Sequence, residues 1–332
     1  MKLLNICIPT YNRHKDLVEL WETFLSKVIL NYNEDVNIYI YDNSDDDIAK
    51  LNEAFFSKKV IYKKNKINIG FSQNVLRCVT TYDSEFVWCL SDNDFVRYKA
   101  FPQIINSLRD DKFDFLQLRY TYQDLTNETK ECAIPEIITL KDYLRAKGSM
   151  PFTFLSCAII KNNIINSSIF KEELGNNSFI QIPLFIEKIG IDAKMKLLYS
   201  PVIDYNFEYN GRFNIKDLYD SKNQIVNYLN DLYELDLVRV DVEKSVAWYI
   251  LLHSVNLLKI SDYTATRKFV TSKMLTKFSL PVLIFIGTSI LPCFLKKNIT
   301  AFLITRRILK SSIKEWWRKF RLVKNKMVCK KV

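Results

Sequence analysis

LLNICIPTYNR, residues 3–13, sets the reading of the fold: an apolar run from Leu3 to Ile8 stops at Pro9 and gives way to Thr10, Tyr11, Asn12 and Arg13. A buried strand followed at once by a polar turn is what that order predicts. Three more runs of the same kind follow at wide spacing, Val36–Tyr41, Val60–Tyr62 and Phe86–Leu90. The intervals carry helical patterns, as in Leu17, Leu20, Trp21, Phe24, Leu25 and Val28. Strands rich in β-branched and aromatic residues, alternating with amphipathic helices, indicate βαβ units. The expected class is therefore α/β, with a mostly parallel sheet flanked by helices.

Ligands of such sheets collect beyond the carboxyl ends of the strands. The first strand runs into Pro9–Arg13, the second into Asp42-Asn43-Ser44-Asp45-Asp46-Asp47, and the fourth into Ser91-Asp92-Asn93-Asp94. Two strands thus deliver carboxylates to one edge. Crowded carboxylates repel one another and favour a cation between them. Asp92 and Asp94, two residues apart on a turn, suit a hard divalent ion such as Mg²⁺ or Mn²⁺ that keeps positions open for phosphate oxygens. The ordinary alternative is a solvated turn, since Asp and Asn are turn formers. Asp45 to Asp47 read as such a turn entering a helix N-terminus.

Composition narrows the chemistry. With 48% hydrophobic and 26% charged residues, the 332-residue chain is globular rather than disordered. Two histidines, His14 and His253, exclude a His-rich metal cage. The six glycines lie too far apart for a glycine-rich phosphate loop, and the seven cysteines contain no CxxC pair, which fits a reduced compartment. The net charge of +11 is not spread evenly: residues 296–332 hold thirteen Lys or Arg against Glu315, a net of +12. Residues 1–295 then carry 35 basic and 36 acidic side chains, a net of −1, so no nucleic-acid-binding body is expected. The Leu3–Ile8 run is too short for the apolar region of a signal peptide and lacks its cleavage site.

Taken together, ICIPTYNR, YDNSDDD, NKINIGFSQN and FVWCLSDND resemble the family 2 glycosyltransferases in order and spacing. PFTFLS at Pro151–Ser156 looks, more faintly, like a stretch of the abequosyltransferase-like enzymes that build bacterial O-antigen and capsule. The resemblance implies the GT-A fold, Rossmann-like in its first half, over residues 1–215, with a nucleotide-binding half to about 100 and an acceptor half beyond. It implies nucleotide-sugar contacts at Pro9, Thr10, Tyr11, Arg13, Asp42, Asn68, Asn74, Asp92 and Asn93, Tyr11 stacking on the base and Asp42 reading the pyrimidine or ribose. Asp94, with Asp92, would hold the metal, Mg²⁺ or Mn²⁺. Inverting members use a carboxylate base some ninety residues past the DxD; Gln181 stands in that neighbourhood here, and it cannot take a proton. Asp192, Glu187 and Asp204 are the nearby acids, although Glu187 lies on an amphipathic run and Asp204 in a strand-like segment, where structural roles are ordinary.

Phe113–Tyr120 and Leu197–Tyr205 read as further strands, and Arg212 follows in a loop where it could meet a diphosphate or simply face solvent. Residues 216–276 have helical spacing, with His253 on the apolar stripe. Phe278–Leu295 has eighteen uncharged positions interrupted by Pro281, Gly287 and Pro292, about 27 Å as a helix. A re-entrant or interfacial segment fits better than a span, because a span would separate the basic tail from the catalytic body; a buried core helix is the alternative. Phe302, Leu309, Ile313, Trp316, Phe320 and Val323 form one face of a basic amphipathic helix suited to an anionic membrane surface. Residues 277–332 are thus expected to associate with the cytoplasmic face of the inner membrane, peripherally or as a monotopic protein.

The expectation is a metal-dependent hexosyl- or deoxyhexosyltransferase. It would move sugar from a UDP or CDP donor to a lipid-linked glycan of surface-polysaccharide synthesis. The alternatives are a non-catalytic nucleotide-binding scaffold of a polysaccharide assembly complex and a membrane-associated nucleotidyltransferase.

Overall fold

The computed structural model describes residues 1–110, 112–122, 137–147, 154–163, 177–205 and 215–233. The helical region beyond Tyr233, the apolar segment, the basic tail, Arg212 and His253 lie outside the described residues. Residues Met1–Glu208 and Tyr219–Val242 form one compact unit.

Among the described residues its sheet contains nine strands: β1 (Lys2–Thr10), β2 (Val36–Asp42), β3 (Ile61–Lys64), β4 (Ser84–Cys89), β5 (Phe95–Val96), β6 (Phe115–Tyr122), β7 (Ile137–Thr139), β8 (Ala158–Lys161) and β9 (Lys194–Tyr205). The order is β3-β2-β1-β4-β8-β6-β9-β5, with β7 alongside β9. Helices α1 (His14–Leu20), α2 (Ser26–Tyr32), α3 (Asp46–Phe56), α4 (Gly70–Val79), α5 (Phe101–Arg109), α6 (Leu140–Lys147), α7 (Gln181–Ile189) and α8 (Ile215–Tyr233) follow in chain order. A single π-helical turn, Trp21–Leu25, joins α1 to α2.

β1 to β4 are mutually parallel. Central β1 is buried along most of its length, as a strand covered on both faces must be. Leu4, Ile6, Ile8, Ile38, Phe86 and Trp88 form the core beneath α1, α2 and α5. Phe24 meets Trp88 edge-on at 6.0 Å and Phe101 at 5.4 Å.

The second half departs from a mostly parallel sheet. β8 runs antiparallel between β4 and β6, and β5 and β7 are antiparallel to β9, while β6 and β9 are parallel. The sheet is therefore mixed, because short antiparallel strands fill its far side. β3 also begins later than the apolar run suggests: the Val60 amide still bonds the Phe56 carbonyl of α3, and pairing with β2 then continues through Lys63 and Lys64. Lysines are at home on such an edge strand.

Candidate active site at the carboxyl end of the sheet

From β1 the chain first adds β2 and β3 on one side and then β4 on the other. Neighbouring strand ends therefore diverge between β1 and β4, the switch point at which open α/β sheets bind ligands. Thr10 ends β1, and the Ser91–Asp94 turn follows β4.

The two ends are tied through Asp92, which is 3% exposed. Its Oδ2 accepts a hydrogen bond from Thr10 Oγ1 at 2.7 Å, and its Oδ1 one from Arg13 Nη1 at 2.6 Å. Burial pushes the carboxyl up, and Arg13 and Thr10 oppose that shift. Arg13 Nε is buried and has no partner among the described residues. An orphaned guanidinium donor is costly unless an acceptor arrives.

Asp94 is placed differently. Its Oδ2 accepts from Ser156 Oγ at 2.5 Å, and among the described residues Oδ1 has no hydrogen-bond partner. Burial, reinforced by nearby Asp92, pushes the carboxyl up to about 6. Asn93, between them, accepts from the Ser91 hydroxyl at 2.7 Å and holds the turn.

The loop after β1 is shaped by Asn12, whose φ of 55° is left-handed and suits asparagine better than most side chains. Its amide N–H donates to Ser44 Oγ at 2.8 Å, its Nδ2 to Asp45 Oδ2 at 2.6 Å, and its Oδ1 accepts from the Asp45 amide at 2.9 Å. Tyr11 stands beside it, 40% exposed, with Pro9 partly buried before it.

Asp42 occupies a closed environment. It is fully buried; Oδ1 accepts from the Ser44 amide at 2.6 Å, and Oδ2 accepts from Asn52 and Tyr62 at 2.7 Å each. Asn52 in turn meets His14 Nδ1 at 2.8 Å. Beside Asp42, Asn65 Nδ2 donates to Asn43 and, at 3.0 Å, to Asn74, while Asn74 Nδ2 donates to the Tyr41 carbonyl at 2.9 Å. Asn74 is thus a buried brace. Asn68 is exposed and accepts from the Gly70 amide at 2.9 Å; Gly70, at φ 78°, opens α4 in a conformation that favours glycine.

The acceptor-side acids lie on other elements. Asp204 pairs with Arg97, whose Nη2 reaches Oδ1 at 2.6 Å and whose Nε reaches Oδ2 at 2.9 Å, fastening β9 to β5 just past Asp94. Glu187, on α7, is partly buried and accepts from Tyr228 Oη at 2.8 Å, rather than standing on a purely solvated face. Asp192 is exposed in the turn between α7 and β9. Gln181 begins α7 and is 1% exposed. The structure gathers Thr10, Arg13 and Asp92 in one hydrogen-bonded cluster, with Asp94 on the same turn but bonded to Ser156; Asp42 and Asn74 are linked through Asn65.

Among the described residues, no three or more His, Cys, Asp or Glu side chains gather as a metal cage. The donor chemistry still suits a divalent cation shared with a ligand. Mg²⁺-type ions often take one or two carboxylates and complete their shell with phosphate oxygens. Asp94 Oδ1 is the open carboxylate oxygen, while both Asp92 oxygens already have partners.

Paired acids and an orphaned guanidinium donor thus sit at the switch point of an open α/β sheet, where such sheets bind their ligands. Residues 5–168, just under half of the chain, match the model of glycosyl transferase family 2. Abequosyltransferase RfbV of Salmonella typhimurium is 30% identical over 96 residues, which are 28% of this chain and 28% of that protein. Among solved structures, S. aureus TarS 1–349 aligns at 17% identity and a TM-score of 0.49, over 87% of this chain and 79% of that one. Mannosyltransferase PcManGT from Pyrobaculum calidifontis, in complex with GDP-Man and Mn²⁺, aligns at 8% identity and 0.49, over 92% and 86%.

Proposed function

We propose that the chain transfers a sugar from a nucleotide-sugar donor to a glycan acceptor, with a divalent cation. The observation that carries this reading is the asymmetry of Asp94: one oxygen held by Ser156, the other open, in a setting that disfavours an uncompensated negative charge. Asp94 would present Oδ1 to Mg²⁺ or Mn²⁺, and Arg13 would offer its orphaned Nε–H to the diphosphate. When bound, the cation supplies charge neutralisation at the departing diphosphate. Thr10 and Arg13 keep Asp92 in place, and Tyr11 is the exposed aromatic surface available for a base.

In transfer, the acceptor hydroxyl oxygen bonds to the anomeric carbon, the carbon–oxygen bond to the diphosphate breaks, and the hydroxyl proton leaves. Of the three acids near the acceptor side, Asp204 is committed to Arg97 and Glu187 to Tyr228; Asp192 is exposed. Asp192 is therefore the first of them to substitute in a search for the base. The partial likeness to an abequosyltransferase supports a deoxyhexosyl or hexosyl donor and a place in surface-polysaccharide synthesis. The basic amphipathic stripe of residues 302–323 supports a lipid-linked acceptor at an anionic, cytoplasmic membrane face. No helix among the described residues is long and apolar enough to cross a membrane.

The test is a screen of UDP-, CDP-, GDP- and dTDP-sugars for metal-dependent release of nucleoside diphosphate, with membrane-extracted acceptors and Asp94→Ala alongside. Release from one donor class, lost in the variant, is expected. Tight nucleotide binding with no release from any donor would favour the scaffold; release of pyrophosphate would favour a nucleotidyltransferase.

A further inference from the structure

Ser156 is the side chain that hydrogen-bonds Asp94 among the described residues, and it is fully buried. It sits in a single 3-10 turn, Leu155–Cys157, that leads into β8. Three contacts fix it against β4 and the following turn. The Trp88 indole donates to the Ser156 carbonyl at 2.8 Å, the Ser91 amide donates to its Oγ at 2.9 Å, and its hydroxyl reaches Asp94 Oδ2 at 2.5 Å. A hydroxyl has one proton to give. Because the Ser156 oxygen already accepts from Ser91, that proton is directed at the carboxylate.

We propose that Ser156 is a positioning residue: it holds Asp94 by Oδ2 so that Oδ1 faces the cation and diphosphate. The inference rests on the reading of Asp94 as the cation ligand. Two features argue for a directional role beyond packing. The chain Ser91 N–H to Ser156 Oγ–H to Asp94 runs one way, which fixes the carboxylate's orientation as well as its distance. The turn is also pinned at its far end, where the Arg97 amide donates to the Val202 carbonyl at 2.8 Å and the Arg97 side chain clasps Asp204. The segment from Ser91 to Arg97 is therefore anchored at both ends, and Ser156 fixes the side chain between them. Partners that orient a metal ligand commonly change metal affinity by about 10- to 100-fold when removed.

The experiment titrates Mn²⁺ into the full chain and follows the free ion by electron paramagnetic resonance, alone and with UDP, CDP, GDP and dTDP. Mn²⁺–nucleotide binding without protein is subtracted. The expected pattern is binding by the native chain, none by Asp94→Ala, and about tenfold weaker binding by Ser156→Ala. Ser156→Thr, which keeps the hydroxyl, should restore most of the affinity. If Ser156→Ala does not fold, Ser156→Cys, similar in shape but a poor donor, must still weaken binding. Metal-free melting separates the alternatives: a merely structural serine lowers the melting temperature and leaves Mn²⁺ affinity unchanged. An Mn²⁺ affinity within twofold of native in a folded Ser156→Ala or Ser156→Cys chain, with Asp94→Ala inactive in binding, overturns this inference alone. No Mn²⁺ binding by the native chain with any of the four nucleotides overturns the reading of Asp94 and this inference with it.

Discussion

The ends of β2 and β4 lie on the same edge of one sheet and both deliver aspartates, yet they are built to opposite ends. Asp42, at the end of β2, is fully buried with both oxygens supplied by Ser44, Asn52 and Tyr62. Asp94, after β4, has one oxygen supplied and its carboxyl pushed up to about 6 by burial. A buried carboxylate whose bonds are all made inside the protein stiffens a loop. One whose bonds are half made is a charge awaiting a partner. Position at a strand end makes the two aspartates look alike in sequence, and only their partners tell them apart.

The sharpest way to break this contrast is to remove each acid in turn. Asp94→Ala should lower sugar-transfer activity by about a thousandfold while leaving the circular dichroism spectrum and melting cooperativity intact, as expected for a group that stabilises developing charge. Asp42→Ala should do the reverse, lowering stability by about 3 kcal/mol in denaturant unfolding, because Asn52 and Tyr62 are left unpaired in the interior. If Asp42→Ala unfolds normally but loses nucleotide affinity, Asp42 belongs with the ligand and the contrast fails.

Smaller effects sharpen the same comparison. Tyr62→Phe removes one donor from Asp42 and should cost about 1–2 kcal/mol, with no change in metal dependence. Burial and the adjacent carboxylate push the Tyr62 phenol far up, so this effect should not vary with pH across the neutral range.

Asp94→Asn should stabilise the metal-free chain by about 2 kcal/mol more at pH 8 than at pH 4, read from melts at both values. The sign follows from the raised native value. Between about 3.8 and 6 the native chain binds the proton that the unfolded chain has released, so stability falls as pH rises through that window and stays lower above it. The same protonation competes with the cation, so apparent Mn²⁺ affinity should weaken as pH falls below about 6.

The first half of the fold was legible because β1, β2 and β4 are buried along most of their length and read as apolar runs. The strand ends at Thr10 and Asp42, and the turn carrying Asp92, follow directly from those runs. The far half was less legible: β5 has two residues and β7 three, and what makes them strands is pairing with β9, which no local pattern announces. The site divides in the same way. Thr10, Arg13, Asp92 and Asp94 were visible as charged or polar groups at strand ends, and the structure joins the first three while Asp94 turns to Ser156. Asn43, Asn65 and Ser156 were not singled out for the contacts they make. Buried amides and hydroxyls have no periodicity, and their partners lie 65 residues away for Ser156 and Ser91. The left-handed Asn12, which ties the first loop to the second, carried only the general signal that asparagine tolerates such a turn.

The central claim is that the open oxygen of Asp94 receives the cation of a nucleotide-sugar complex. A crystal structure of the full chain with Mn²⁺ and the donor found by the screen tests it most directly. The account predicts Mn²⁺ bound by Asp94 Oδ1 and by diphosphate oxygens, with Oδ2 still on Ser156 and Arg13 turned toward the diphosphate. Mn²⁺ and diphosphate bound away from Asp94, with Oδ1 left facing solvent, would contradict it.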